Sequence, residues 1–156
     1  MANVLMLFQA DEETTEQLAL AVGVGAVEAG GNIRLRRLSR PGAPEVGHKG
    51  YGVLKATDLE WAETVVVGLE SAAVAEEELR PLFVLLEESG SMLIGKKVWT
   101  FSPATFAADG LTTAQGTLLE AAKGAGFVPL QIETASGASV EEKNEAAKAA
   151  GRVCAG

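Results

Sequence analysis

Asn3-Val4-Leu5-Met6-Leu7-Phe8 is an apolar run that gives way to Gln9-Ala10-Asp11-Glu12-Glu13-Thr14 and then to a helical stretch from Thr15 to Ala29. A run with so few polar breaks suits a strand covered on both faces, as in a parallel sheet with helices above and below. The same unit recurs along the chain. Further runs stand at Ile33 to Leu38, Thr64 to Leu69, Val98 to Phe101 and Phe127 to Ile132. Ala-, Leu- and Glu-rich helical stretches at Ala75 to Glu88, Thr113 to Lys123 and Val140 to Val153 separate most of them. Strand–helix alternation predicts an α/β fold around a parallel sheet.

The strands differ in a way that orders them. The first, third and fourth runs are almost wholly apolar and belong inside the sheet. Ile33-Arg34-Leu35-Arg36 alternates, with charge that would protect an open edge. Pro129 in the fifth run lacks a ladder donor and also belongs at an edge. Edges at the second and fifth strands match the doubly wound order 2-1-3-4-5. Thr14-x-x-Gln17, Thr112-x-x-Gln115 and Ser139-x-x-Glu142 fit the capping box at helix starts, while Gly30-Gly31 and Gly124-Ala125-Gly126 fit helix stops. Pro81 implies that its helix begins near Arg80 or kinks there. Ser39 to Thr57, rich in Pro and Gly, reads as a long connection before a short helix near Asp58 to Trp61.

Composition narrows the function. The chain has 156 residues, 47% of them hydrophobic, which suits a single domain over 1–156 with its own core. Thirteen basic against 21 acidic side chains give a net charge of -8, the wrong field for a nucleic-acid partner. One Cys and one His make no disulfide and no zinc-ligand cluster. No apolar stretch reaches the roughly 18–20 residues of a membrane span, and Met1-Ala2-Asn3 lacks a basic leader. The expectation is a cytoplasmic protein with no membrane and no nucleic-acid partner. The Ala- and Gly-rich helices Leu18 to Ala29 and Glu145 to Ala150 permit close packing, and a homo-oligomer is expected.

In an open α/β sheet a ligand sits beyond the carboxyl ends of the strands, where the strand order reverses. The segments there read Gln9 to Thr14, Gly68-Leu69-Glu70-Ser71-Ala72, and Ser102-Pro103-Ala104-Thr105-Phe106 onward to Gly110.

Over nearly its whole length the chain resembles the flavodoxin-like family. It is most similar to NAD(P)H:quinone oxidoreductases of the tryptophan-repressor-binding-protein type. The pieces that carry the resemblance are Val4 to Phe8, Thr14 with Leu18-Ala19, and Asp58-Leu59-Glu60-Trp61-Ala62-Glu63 leading into Val65 to Gly68. Leu93 to Val98, Thr117-Leu118-Leu119 and Ala149 to Val153 continue it. The resemblance implies a three-layer sandwich with a five-stranded parallel sheet, FMN held between the three segments, and two-electron reduction of a quinone. The cofactor-binding residues it implies are Gln9, Asp11, Glu12, Glu13, Thr14, Glu70, Ser71, Ser102, Thr105, Phe106 and Gly110.

The departures fall on the chemistry. Where the family has Ser/Thr-x-Thr-Gly-Asn-Thr around the FMN phosphate, this chain has Gln9, Asp11, Glu12 and Glu13, keeping only Thr14. The family's Ser-Pro-Thr is Leu69-Glu70-Ser71, and its His-Gly-Gly after the fourth strand is missing, although Ser102 and Gly110 remain. A helix N-terminus favours an anion, but here carboxylates compete with phosphate for it. One like-charge pair at about 4 Å costs roughly 4 kcal/mol at an effective dielectric near 20, and each 1.4 kcal/mol is about tenfold in affinity. An inward-facing acid would remove most FMN affinity; acids turned outward would merely favour the helix's first turn.

The reading is a flavodoxin-family protein with an eroded FMN site, a weakly binding or non-catalytic small-ligand or assembly module with no catalytic residue assigned. The alternative is an FMN-dependent NAD(P)H:quinone or flavin reductase that holds the flavin through backbone amides and Thr14, Ser71, Ser102 and Thr105. A second alternative is an acidic metal pocket of Asp11, Glu12 and Glu70, as in receiver domains; it lacks an Asp at the end of the third strand and a Lys after the fifth. Gly23-Val24-Gly25 lacks a third Gly and lies in a helical stretch, which points to close helix packing rather than a dinucleotide loop. Trp99 reads as core and His48 as a solvated loop residue, with a general-acid role as its alternative.

Overall fold

The computed structural model describes residues 2–9, 13–38, 52–70, 76–102, 112–130, 132 and 140–156. Six parallel strands form one sheet: β1 (Asn3–Gln9), β2 (Asn32–Leu38), β3 (Gly52–Val53), β4 (Thr64–Gly68), β5 (Lys97–Phe101) and β6 (Val128–Pro129). Their spatial order is β3-β2-β1-β4-β5-β6. Apart from the two-residue β3, this is the five-stranded 2-1-3-4-5 sheet of the flavodoxin-like α/β fold.

β3 corrects one expectation. It lies within the stretch read as a connection and pairs with Arg36 and Arg37, so β2 is covered there rather than an open edge. The arginines of β2 have a different employment. Arg34 and Arg36 converge on the buried carboxylate of Asp58, at 3.2 and 3.0 Å. The Lys55 amide donates to the same carboxylate at 3.0 Å, closing the first turn of α2 (Ala56–Trp61). Arg34 also lies over the Trp61 ring, 4.3 Å from its centre. Pro129 sits at the far edge as its missing donor requires.

Alternation along β1 builds two cores. Val4, Met6 and Phe8 face α1 (Glu13–Glu28) and α5 (Val140–Ala155). Leu5 and Leu7 face the side of α3 (Glu76–Glu88) and α4 (Thr113–Gly124). All five are at most 1% exposed, each worth about 1.5–3 kcal/mol as buried apolar surface. α3 runs through Pro81 without a break in its assignment. It begins at Glu76, ahead of the start near Arg80 that the proline suggested.

α1 and α5 approach closely because glycines face backbone. A Cβ on Gly25 would lie 1.9 Å from the Lys148 carbonyl oxygen, and one on Gly151 would lie 1.9 Å from that of Val22. This is the helix packing expected of Gly23-Val24-Gly25. It also changes the basis for self-association, since the small-residue faces of α1 and α5 are buried against each other within the chain.

The Thr112 capping box forms as expected. Gln115 donates its amide to the Thr112 hydroxyl at 3.1 Å, and the Gln115 side chain accepts from the Thr112 amide at 3.0 Å. Thr14 does not cap, because α1 already begins at Glu13 and Thr14 lies inside its first turn. Ser139 lies outside the described residues. Gly30, with φ +90, and Gly126, with φ +106, take the left-handed conformation where α1 and α4 end.

Candidate functional site

The parallel register brings the ends of β1, β4 and β5 together, with Phe8 opposite Gly68 and Gly68 opposite Phe101. Gln9 is one residue beyond Phe8 and Glu70 two beyond Gly68. The Glu70 amide donates to the Gln9 side-chain oxygen at 2.6 Å, and Gln9 is 3% exposed. The carboxamide therefore bridges β1 and the segment after β4 at the point where strand order reverses. Glu70 itself is half-buried.

On the α1 side of the same edge, a Cβ on Gly68 would lie 2.5 Å from the Phe101 ring. The ring thus fills the space that any side chain at Gly68 would need, and it packs against Trp99 at 5.8 Å between centroids. Trp99 is core, as expected.

Among the described residues, two hydroxyls at this edge are buried without a partner. They are Thr15 Oγ1, in the first turn of α1, and Ser102 Oγ, directly after β5. Successive helix residues are rotated by about 100°. Thr14 is exposed while Thr15 is fully buried. An unsatisfied buried polar group costs about 1–3 kcal/mol. Glu16 and Arg37 are also buried here, Arg37 in register with Phe8 at the end of β2.

Of the site residues expected from the sequence, the structure places Gln9, Thr14, Glu70 and Ser102 at the carboxyl edge and brings Gln9 and Glu70 into contact. Asp11, Glu12, Ser71, Thr105, Phe106 and Gly110 lie outside the described residues, as do the side chain of Glu13 and the loop with His48. Sequence reasoning missed Thr15 and Phe101. The shift of the helix start hid the first. The second was taken as ordinary strand, and only its pairing opposite Gly68 reveals its place. Among the described residues no three His, Cys, Asp or Glu side chains are grouped to hold a metal. A cleft of about 730 Å³ beside Phe83, Leu86 and Ile94 lies at the other end of the sheet, with Glu87 and Lys123 as its charged lining residues.

The opposite, amino edge is closely bonded. Asn3 Nδ2 donates to the Trp61 carbonyl and Asn32 Nδ2 to Asn3 Oδ1, each at 3.1 Å. The Lys96 ammonium donates to the carbonyls of Glu60 and Ala62 at the end of α2. Desolvation lowers the Lys96 pKa, against the pull of Glu63 and Glu60. The Thr64 hydroxyl donates to the Cys154 carbonyl at 3.3 Å. Burial pushes the Cys154 thiol up to about 12, with Lys97 acting the other way.

Solved structures similar to this chain include flavodoxins and flavodoxin-like domains. A flavodoxin from the domain Archaea superposes with TM-score 0.65 and 14% identity, over 98% of this chain and 96% of that one. Oxidised flavodoxin 1 from Bacillus cereus gives 0.64 and 16%, over 97% and 96%. A diflavin flavoprotein A3 from Nostoc sp. gives 0.66 and 15%, over 99% and 91%. At these identities the likeness establishes the fold. No family model matches the chain, and no curated protein matches it.

Gln9, Thr14, Glu70 and Ser102 are the described side chains at which the resemblance would place FMN contacts. Gln9 stands where the family places a phosphate-binding hydroxyl, yet its side chain is turned to the Glu70 amide. That amide donor is thereby occupied by the protein itself.

Proposed function

We propose that this flavodoxin-like protein has an eroded FMN site and acts as a weakly binding or non-catalytic small-ligand or assembly module. The Gln9–Glu70 bond carries this reading: at the strand-order reversal a backbone donor is satisfied internally, by a residue in the register of a phosphate ligand. The acidic run Asp11-Glu12-Glu13 that follows Gln9 in the sequence supports the same conclusion, since added negative charge lowers the affinity of a phosphate monoester. Freshly purified protein is expected to lack flavin absorbance bands, and its denatured supernatant to contain no flavin by mass spectrometry. Stoichiometric flavin in that supernatant contradicts the reading.

One observation favours a second reading, an FMN-dependent NAD(P)H:quinone oxidoreductase. The partnerless hydroxyls of Thr15 and Ser102 are suited to donate to a bound acceptor. Riboflavin and FMN titrations of wild type and of Thr15→Val and Ser102→Ala separate the readings. The reductase reading requires saturable binding that weakens in both variants.

A further inference from the structure

We propose that the cleft at the amino end of the sheet is a separate binding site for a small organic cation, an apolar ring that carries one ammonium group. The proposal is independent of how the carboxyl edge is read, because the two ends share no lining residue.

The cleft, at about 730 Å³, has the volume of a small-molecule pocket. It is built from two helix ends. Leu86 and Glu87 stand in the last turn of α3, and Ala121, Lys123 and Gly124 in the last turn of α4. The chain segments that leave these helices are tied together, since the Gly95 amide donates to the Gly126 carbonyl at 3.0 Å. Ile94 also lies directly against Gly126, where a Cβ would come within 2.8 Å of Ile94 Cγ1. The fold therefore holds the walls without a ligand. Phe83, Leu86, Ala121 and Ala125 supply apolar lining, and Ile94 is left 68% exposed. A ring seated there would remove that apolar surface from water.

Charge decides the sign of the ligand. A helix carries about half a negative charge at its carboxyl end, and two such ends border this one cleft. Among the described residues no backbone amide is donated to the carbonyls of Glu87 and Gly124, which leaves acceptors at both helix ends. Lys123, the basic residue of the lining, pairs with Glu120 of its own helix at 3.5 Å. Among the described residues no cation pairs with Glu87. An ammonium group is favoured by these carbonyls and by Glu87, and a carboxylate is opposed by all of them.

The test uses three probes with the same indole ring and two-carbon arm: tryptamine, a cation, tryptophol, neutral, and indole-3-propionate, an anion. Each is titrated into the full chain while backbone amide shifts are followed by NMR. Tryptamine is expected to shift the Ser91, Ile94, Gly124 and Gly126 amides saturably. Tryptophol should bind about tenfold more weakly, and indole-3-propionate more weakly still. Glu87→Gln, at an exposed position, should weaken tryptamine about threefold and leave tryptophol unchanged. Equal affinity for the three probes, shifts that avoid these four amides, or no saturable shift at all overturns the proposal. So does a Glu87→Gln variant that binds tryptamine as wild type does. If that variant loses its melting transition, the three probes on wild type still decide.

Discussion

The two ends of the sheet solve the same problem differently. At the amino edge Asn3, Asn32, Lys96 and Thr64 each bond to a defined partner, tying the starts of β1, β2, β4 and β5 to α2 and α5. At the carboxyl edge Gln9 bonds to the Glu70 amide, while among the described residues the Thr15 and Ser102 hydroxyls are buried with no partner. Hydroxyls without partners destabilise a fold that has no ligand for them. The amino edge is thus closed by its own hydrogen bonds, and among the described residues the carboxyl edge is closed only in part.

Gly25→Ala should have the largest effect, acting on the α1–α5 packing that both edges share. Its Cβ would lie 1.9 Å from the Lys148 carbonyl oxygen, and backbone must move to admit it. A loss of about 3 kcal/mol is expected in urea unfolding. A loss below about 1 kcal/mol would mean that the helices part easily. Asp58→Ala comes next, with about 2 kcal/mol lost. It strands Arg34 and Arg36, whose side chains are 36% and 27% exposed and can rehydrate. Thermal melts with Asp58→Asn, which keeps one acceptor oxygen, should recover part of that loss.

The third test separates the edges by sign. Thr64→Val removes a satisfied hydroxyl and should cost about 1 kcal/mol, whereas Thr15→Val and Ser102→Ala remove unsatisfied ones and should be neutral or stabilising by about 1 kcal/mol. Destabilisation by all three would abolish the contrast. The last effect is confined to alkaline pH. A thiol whose pKa is about 12 when folded and nearer 9 when unfolded keeps its proton in the native state while the unfolded chain releases it. The stability it contributes is complete below pH ~9 and is lost as pH rises through ~12. Cys154→Ala should flatten that alkaline decline, measured as melting temperature against pH.

Much of the scaffold was legible because period and punctuation are local. The apolar run of β1, Pro129 at the edge, the Thr112–Gln115 box and the packing glycine Gly25 all follow from residue type and spacing. β3 was hidden because two residues, Gly52 and Val53, carry no period. Arg34 and Arg36 looked like edge protection because Asp58, their partner, is more than 20 positions away, at separations of 24 and 22. The site was least legible. Thr14 and Thr15 differ by one step of helix rotation, which decides which hydroxyl is buried. The Gln9–Glu70 bond spans 61 positions and exists only through the β1–β4 register.

The most direct test is a titration of the wild-type chain, freed of any small molecules carried through purification, with FMN while flavin fluorescence is followed. The account expects no saturable quenching in the micromolar range. A sharp stoichiometric end point at nanomolar flavin would contradict it, showing that the Gln9-closed edge still accepts the cofactor.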